Sequence, residues 1–208
     1  MPLAEPAPTP LLVPLRVSRA KLKAELDNWA ANAQAYRRRG WILLDGNLDD
    51  LRVEVGFVSL VALGEQQIPF LSAAVRLTYE NYDLWPPSLT FIEPRSGNPA
   101  PPPVQAIERV DGGEPRNALL LHPVTRRPFL CLPGLREYHS HPQHSGDDWL
   151  LHRAEGAGRV AVICDRIWRR MVLNVVGVQM NLLSVPGMGV QLNIGIAQGD
   201  LNAQVQQA

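Results

Sequence analysis

The spacing of hydrophobic residues predicts a long helix near the start of the chain. After Ser18, a suitable N-cap, apolar side chains recur every three or four positions and form one stripe. The stripe consists of Leu22, Leu26, Trp29, Ala30, Ala33 and Tyr36. Three arginines at 37–39 suit the negative end of a helix dipole, and Gly40 suits the C-cap. We therefore expect the first helix at residues 18–39.

From Trp41 onward the hydrophobic pattern has a period of two, which is typical of half-buried strands. The clearest alternation places apolar residues at Leu51, Val53, Val55 and Phe57. Further apolar stretches lie at 41–44, 68–79 and 88–92. Strands this close together favour antiparallel pairing, because parallel neighbours need long crossover connections. We expect an α+β fold in which the helix precedes a four-stranded antiparallel meander.

A second amphipathic helix is expected towards the C-terminal end of the domain. Its apolar stripe consists of Val160, Ile163, Ile167, Trp168 and Met171. Cys164 lies within this helix and is expected to be a small core hydrophobe. Short extended pieces are expected at 119–121 and 129–132. Beyond about residue 173, Asn and Gln alternate with apolar residues, so strand, helix and ordered tail all remain possible.

The distribution of prolines divides the chain into a domain and its appendages. Five prolines among the first 14 residues predict a proline-rich flexible leader at 1–16, and in the alternative Leu11, Leu12, Val13 and Leu15 dock on the domain. The length of 208 residues is ample for one domain with a sizeable core, which we place at 17–175. A second proline-dense segment predicts a surface insertion at about 94–117. Residues 176–208 are expected to form a C-terminal extension of uncertain structure.

The composition excludes several classes of partner. Twenty basic and twenty acidic side chains cancel, so no global field recruits nucleic acid or an acidic membrane. No apolar run reaches the roughly 18 residues of a transmembrane helix, and the N-terminus lacks the pattern of a signal peptide. Two cysteines are too few for a disulfide framework and favour a reducing compartment. We expect a cytoplasmic protein.

The candidate chemistry is concentrated in one stretch of the chain. The sequence contains five histidines, and they all fall within 122–152, namely His122, His139, His141, His144 and His152. Histidine titrates near neutrality and is the commonest metal ligand, so such crowding predicts a site. One interpretation makes Cys131 a thiol nucleophile. In it His139 or His141 acts as the base and Glu137 orients the imidazole.

A second interpretation makes the same four residues a metal site. In an extended segment Glu137, His139 and His141 would share one face, and a turn at Pro133 would bring Cys131 towards them. Such a set can bind zinc tetrahedrally, although a closed site would quench the thiolate. The paired Cys-x-x-Cys spacing of strong zinc motifs is missing. A third interpretation is that the two histidines only satisfy loop carbonyl groups.

Four residues beyond His141 are assigned structural roles. His144 is expected on the loop surface, with a gate as the less favoured role, and Trp149 is expected to anchor the loop to the core. Asp147 and Asp148 are expected to cap a helix or to be solvated. A less favoured role for these acids is the positioning of an incoming amine.

Two segments resemble ubiquitin-conjugating enzymes. The stretch Tyr82-Asp-Leu-Trp-Pro-Pro-Ser-Leu-Thr-Phe91 is similar to their Tyr-Pro-x-x-Pro-Pro-x-Val-x-Phe motif, with Asp83 in place of the first proline. Further along, His122-Pro123 and then Cys131-Leu132 resemble their His-Pro-Asn and catalytic Cys-Leu motifs. The resemblance covers residues 18–171. Val124 replaces the asparagine that stabilises the oxyanion in that family, and the insertion lengthens the spacing.

The resemblance implies a ubiquitin-conjugating-like fold and a transferase activity. Cys131 would accept a ubiquitin-like protein from an activating enzyme as a thioester and pass it to an amine on a target protein. No cofactor is expected for this reaction. The first helix would be the surface that meets the activating enzyme.

A narrower resemblance supports the metal interpretation. Cys131, Glu137, His139 and His141 look like the Cys-Glu-His-His signature of a predicted metal-binding family. That family occurs in bacterial gene clusters beside ubiquitin-like proteins, which implies the same pathway and a setting in antiviral defence. The alternative function is thus a non-catalytic zinc-binding or adaptor module with these four residues as ligands.

Overall fold

The computed structural model describes residues 10–63, 65–104, 106–108, 116–173, 175–185 and 189–198. The helices are α1 (Leu15–Arg38), α2 (Arg136–His139), α3 (Trp149–Arg153) and α4 (Val160–Ile167). A 3₁₀ turn covers Pro142–His144, and α4 continues into a π-helical turn at Trp168–Val172.

The strands follow the predicted order. The first four are β1 (Trp41–Asn47), β2 (Arg52–Leu63), β3 (Gln66–Thr78) and β4 (Ser88–Phe91). Four short strands follow as β5 (Ile107–Glu108), β6 (Arg116–Asn117), β7 (Leu119–Leu121) and β8 (Pro128–Leu130). The last two are β9 (Val175–Val185) and β10 (Gly189–Gln198).

The meander predicted from the sequence is confirmed. β1 to β4 pair in sequence order and antiparallel, with Val55 opposite Val75 and Val75 opposite Phe91. The protein is therefore of α+β class, with an N-terminal helix, a four-stranded antiparallel meander and further helices. The alternation in β2 has the expected consequence, because Val53, Val55 and Phe57 are all fully buried.

An aromatic cluster joins the two predicted amphipathic helices to the sheet. Trp41 lies at its centre, 6.4 Å from the ring of Trp29 on α1 and 6.5 Å from that of Trp168 beyond α4. Phe57 of β2 packs edge-on against Trp41 at 6.4 Å. Cys164 is fully buried in the same core, as the periodicity of α4 predicted.

The first helix begins earlier than predicted, and the segment before it is attached to the domain. Asn81 accepts hydrogen bonds from the amides of Leu12 (2.7 Å) and Val13 (2.9 Å) and donates one to the carbonyl of Pro10 (2.8 Å). The helix starts at Leu15, so the supposed cap Ser18 lies inside it. The contacts of residues 10–13 match the alternative in which this segment docks on the domain, and residues 1–9 lie outside the described part.

The predicted insertion at 94–117 is not wholly superficial. Val104 and Ala106 are buried in the core, and β5 pairs with β6. Residues 109–115 lie outside the described part of the chain. In the C-terminal extension, which the sequence left open, β9 and β10 form an antiparallel hairpin. The hairpin joins the main sheet through a parallel contact between Ala62 of β2 and Gly177 of β9.

Among the helices that the structure describes, none combines the length and the apolar composition needed to cross a bilayer.

The contacts of Asn81 predict the effect of removing its side chain. Asn81→Gly keeps the left-handed backbone (φ 59°) accessible but deletes three hydrogen bonds. We expect the free energy of unfolding to fall by about 1–3 kcal/mol and the Leu12 and Val13 amides to exchange faster. Urea unfolding and hydrogen exchange measure both effects. Exchange rates at Leu12 and Val13 equal to those of the wild type would contradict the anchoring role.

Candidate functional site

Cys131 follows strand β8 and has an imidazole beside its thiol. Its neighbours Leu130 and Leu132 are buried in the core, and they leave Cys131 half-buried at the edge of the domain. The Sγ atom of Cys131 lies 3.1 Å from Nε2 of His144. A thiol and an imidazole at this distance form the basic unit of nucleophilic cysteine chemistry.

The loop around His144 presents this imidazole to the thiol. Pro142 starts the 3₁₀ turn that ends at His144, and Nδ1 of His141 caps the turn by accepting the amide of Gln143 at 3.2 Å. The His144 ring stacks on Tyr138, with ring centroids 3.9 Å apart and planes 20° apart. Burial lowers the pKa of His144, the charge of His141 lowers it further, and Asp147 raises it. The imidazole is therefore neutral near pH 7 and can accept a proton from the thiol.

Asp147 is bonded to two side chains of the same loop. Tyr138 donates its phenolic hydrogen to Oδ2 of Asp147 at 2.6 Å, and Nε2 of His152 donates to Oδ1 at 2.5 Å. These two hydrogen bonds lower the pKa of the Asp147 carboxyl group. Burial and the neighbouring Asp147 raise the pKa of Tyr138 to about 12, so the phenol keeps its proton. Asp147 was expected to cap a helix or to be solvated, but the structure places it within the site.

His139 fixes the backbone of the thiol loop. Its Nδ1 donates to the carbonyl of Asp147 at 2.8 Å, and its Nε2 accepts the amide hydrogen of Gly134 at 3.3 Å. Burial lowers the pKa of His139, which favours the neutral tautomer that both bonds require. Gly134 has φ 102°, and a Cβ there would lie 2.5 Å from the carbonyl oxygen of Ala157. This placement matches the third interpretation, in which a histidine satisfies loop groups.

Glu137 attaches helix α2 to the main sheet. Its carboxylate accepts a hydrogen bond from the hydroxyl of Ser88 and another, of 3.1 Å, from the amide of Leu89. Part of the residue is exposed, but burial of the carboxyl group raises its pKa, while the bond from Ser88 lowers it. The expected partner of this carboxylate was an imidazole of the site. In the structure the carboxylate is bonded to Ser88 and Leu89 of β4 instead.

The geometry of residues 137–141 does not meet the condition on which the metal interpretation depended. That interpretation requires an extended segment, but α2 is helical over Arg136–His139. Because each helical residue turns by about 100°, Glu137 and His139 point to opposite sides. Among the described residues no three His, Cys, Asp or Glu side chains are grouped to hold a metal ion. The zinc site therefore stays a prediction that this geometry does not support.

His122 holds the β7–β8 turn against α2. Its Nδ1 accepts the amides of Val124 and Thr125, each at 3.3 Å, and its Nε2 lies 3.3 Å from the hydroxyl of Ser140. The side chain is buried, and burial together with the charge of His141 lowers its pKa. The residue is thus a structural support for the strand that leads to Cys131.

The stretch from Glu80 to Phe91 holds both ends of the loop that follows Cys131. Arg136 donates its amide to the carbonyl of Pro87 at 2.9 Å and its guanidinium to the carbonyl of Glu80 at 2.8 Å. Trp149 is buried and donates its indole hydrogen to the carbonyl of Asp83 at 3.0 Å, which confirms its predicted role as an anchor. Asp148 caps α3 by accepting the amide of Leu150 at 2.8 Å, as one of the expectations for it stated.

A groove of about 710 Å³ opens beside His144. One wall is largely apolar and consists of Leu84, Trp85, Pro86, Trp149 and Leu150. The other wall is polar and includes Arg136, His139, His144, Asp147 and Asp148. The groove provides an approach to the imidazole that contacts the Cys131 thiol.

The fold and the site define an α+β protein with a cysteine–histidine pair at the edge of an open groove. Residues 13–111 and 114–175 match the family described as Y4jH-like, the Y4jH family, and the chain belongs to this family. A relative from Sinorhizobium fredii (strain NBRC 101917 / NGR234), named "Uncharacterized protein y4jH", is 33% identical over 171 residues. The match covers 73% of this chain and 80% of the relative. The family region contains α1, the meander and the thiol site, and it ends where β9 begins.

The sequence singled out Cys131 as a candidate but did not pair it with His144. His144 was assigned to the loop surface, and Tyr138 was not considered. A signal was present, because a proline after His141 favours the first turn of a helix, which brings the chain back on itself. That turn places His144 above the Tyr138 ring.

The role of Glu137 predicts a loss of stability when its carboxylate is removed. Glu137→Ala leaves the Leu89 amide and the Ser88 hydroxyl without this acceptor. We expect the free energy of unfolding in urea to fall by about 1–3 kcal/mol. Glu65→Ala, in the exposed β2–β3 turn, is the matched control and is expected to change it by less than about 0.5 kcal/mol. Equal stabilities for the two variants would contradict the assignment.

The lowered pKa of His122 predicts a pH dependence of stability. In the unfolded chain this group titrates near 6.5, whereas burial lowers its pKa in the folded protein. Below pH 6.5 the unfolded state therefore binds a proton first, and the free energy of unfolding falls until the pH reaches the lower, folded-state pKa. Above pH 6.5 the contribution is fully present.

His122→Asn is expected to weaken this pH dependence, and urea unfolding at a series of pH values measures the difference in slope. Some slope should persist, because the pKa values of His139 and His144 are lowered as well. Identical slopes in wild type and variant would show that His122 does not remain neutral in the folded protein.

Proposed function

We propose that this protein is a ubiquitin-conjugating-like transferase in which Cys131 carries a ubiquitin-like protein as a thioester. The observation that carries the proposal is the 3.1 Å contact between the Cys131 thiol and the His144 imidazole. The order of helix, meander, Pro-Pro segment and Cys-Leu supports it, because these elements bring together the parts that resemble conjugating enzymes.

The first step transfers the carrier from the activating enzyme. His144 takes the proton of the Cys131 thiol, and the resulting thiolate attacks the carbonyl carbon of the activating enzyme's thioester. A new carbon–sulfur bond forms on Cys131, and the activating enzyme's sulfur leaves and is protonated. The ATP that drives the sequence is consumed upstream, so the step needs no cofactor in this protein.

The second step transfers the carrier to a target. An amine of the target attacks the thioester carbonyl, an amide bond forms, and the Cys131 sulfur leaves. His144 then accepts the proton that the amine must lose, a role for which its lowered pKa is suited. The groove beside His144 is the proposed approach for the amine, and Asp147 and Asp148 on its wall favour a cationic group.

Val124 stands where the conjugating enzymes have the asparagine of His-Pro-Asn, so more of the catalysis would depend on His144. The side chain of Val124 has no hydrogen-bond donor, and it is 73% exposed at the β7–β8 turn. The asparagine's contribution to oxyanion stabilisation is therefore not replaced by this side chain. We assign the chemical work of the site to the pair of Cys131 and His144, in place of the predicted set with Glu137, His139 and His141.

The proposed partners are an activating enzyme, a ubiquitin-like protein and a target protein. Helix α1 is the proposed surface for the activating enzyme, and most of its outward positions are exposed, including Lys23 and Asp27. A reduced Cys131 thiol suits a cytoplasmic location. We also propose a setting in antiviral defence, on the basis of the gene-cluster resemblance.

Thioester formation tests the proposal. The protein is incubated with its activating enzyme, the ubiquitin-like protein and ATP, and the products are separated on a non-reducing gel. We expect an adduct that thiols cleave and that Cys131→Ala abolishes. Cys164→Ala is the matched control and is expected to keep the adduct, because the Cys164 thiol is fully buried.

His144→Ala is expected to slow discharge of the adduct to an added amine by about 10²–10⁴-fold, the range that general base catalysis contributes. Gln143→Ala serves as its control, since Gln143 is an exposed residue of the same 3₁₀ turn and bonds His141 through its backbone amide. If an activating enzyme that is charged with the carrier forms no adduct with the wild type, the proposed transferase function is wrong.

A further inference from the structure

The imidazole beside Cys131 is supported through its ring face. In a Ser–His–Asp triad a carboxylate orients the base by bonding its second nitrogen. Here the aromatic ring of Tyr138 lies nearly parallel to the His144 ring, with centroids 3.9 Å apart and planes 20° apart. The far end of Tyr138 is in turn bonded to Asp147 at 2.6 Å. The chain from thiol to carboxylate thus runs through Cys131, His144, Tyr138 and Asp147.

We infer that Tyr138 and Asp147 are positioning residues that hold His144 against the Cys131 thiol and stabilise its protonated form. The inference rests on the cysteine–histidine pair of the proposed function, but it does not depend on the identity of the carrier or target. Neither residue belongs to the four that the sequence predicted for the site. Their action is through His144 and not by contact with substrate.

A hydrogen bond holds the hydroxyl end of Tyr138, and burial restricts the movement of its ring. Its hydroxyl is bonded to Asp147, whose other carboxylate oxygen is bonded to His152 at 2.5 Å. The Asp147 carbonyl accepts a bond from His139, so the backbone of this residue is fixed too. The Tyr138 residue is buried, which leaves its ring little freedom to move away from His144.

Two features of the stack oppose the burial that lowers the pKa of His144 and so assist proton transfer from the thiol. The S–H bond of Cys131 breaks, the proton goes to Nε2 of His144, and the electron pair stays on sulfur. The imidazolium then lies over the electron-rich face of Tyr138, an arrangement that stabilises cations. Asp147 adds a negative charge beyond the ring and raises the pKa of His144, against burial and the charges of His141 and His139.

The test is the rate at which iodoacetamide alkylates Cys131 near neutral pH, followed by intact-mass spectrometry. In this reaction the thiolate displaces iodide from the reagent, so no activating enzyme, carrier or target is needed. Tyr138→Leu removes the aromatic face. We expect alkylation to slow by about three- to tenfold, the rate change that corresponds to the usual free energy of an aromatic contact. Tyr138→Phe keeps the face but loses the bond to Asp147, so a smaller decrease is expected.

A double-mutant cycle separates positioning from a general loss of structure. In a His144→Ala background, Tyr138→Leu is expected to cause no further decrease, because the group through which it acts is gone. Asp147→Ala is likewise expected to slow alkylation of the wild type and to cause no further decrease in the His144→Ala background. Circular dichroism of each variant verifies that it is folded, and His152→Phe tests whether the second bond to Asp147 contributes.

The possible outcomes distinguish this inference from the proposed function. If His144→Ala slows alkylation but Tyr138→Leu does not, the positioning role is overturned and the cysteine–histidine pair stands. Equal, additive losses in both backgrounds would also overturn it, since Tyr138 would then act independently of His144. If even His144→Ala alkylates at the wild-type rate, the pair itself fails, and with it the chemical basis of the proposed transferase.

Discussion

The arrangement of the thiol site depends on the attachment of helix α2 to strand β4 through the carboxylate of Glu137. A carboxylate with little access to water is costly unless hydrogen bonds compensate, and Ser88 and Leu89 supply them. Helix α2 is a single turn and has no extended apolar face of its own, so these polar bonds and those of Arg136 locate it. Tyr138 and His139 project from this turn, and both contact the loop that presents His144. A short, polar connection to the sheet thus fixes the position of Tyr138 and His139 on an otherwise irregular segment.

This arrangement gives a physical reason for two distant sequence motifs to occur together. The segment from Tyr82 to Phe91 supplies the carbonyl groups of Pro87 and Asp83 to Arg136 and Trp149, which begin and end the loop that follows Cys131. The Pro-Pro turn is therefore the support on which the thiol site is built. The region shared with the Y4jH family covers both motifs, whereas the hairpin of β9 and β10 lies almost entirely beyond it.

The sequence was sufficient for the fold and only partly sufficient for the site. Helix α1 and the meander were predictable because their apolar residues, among them Leu22 and Val55, recur every 3.6 or every 2.0 residues over a long stretch. In the structure these two residues are buried. The loop from 131 to 149 has no such repeat. There the assumed extended conformation was wrong, since a helical turn sends Glu137 and His139 in opposite directions. The contact of His144 with Cys131 depends on the 3₁₀ turn at Pro142–His144, which the proline signals, and on the stack with Tyr138, which no local pattern specifies. The docking of the segment before α1 was left as an alternative, and the bonds that Asn81 makes to residues 10–13 come from a distant part of the chain.

The role of Cys131 as an accessible nucleophile, and not a ligand in a closed zinc site, is tested most directly by measuring reactive thiols and zinc on one native sample. Ellman's reagent is applied before and after a chelator, while bound zinc is determined in parallel. We predict one reactive thiol per chain before chelation, its loss in Cys131→Ala, and zinc well below one equivalent; Cys164 is fully buried and should not react. Stoichiometric zinc, together with a Cys131 thiol that reacts only after the metal is removed, would contradict the account.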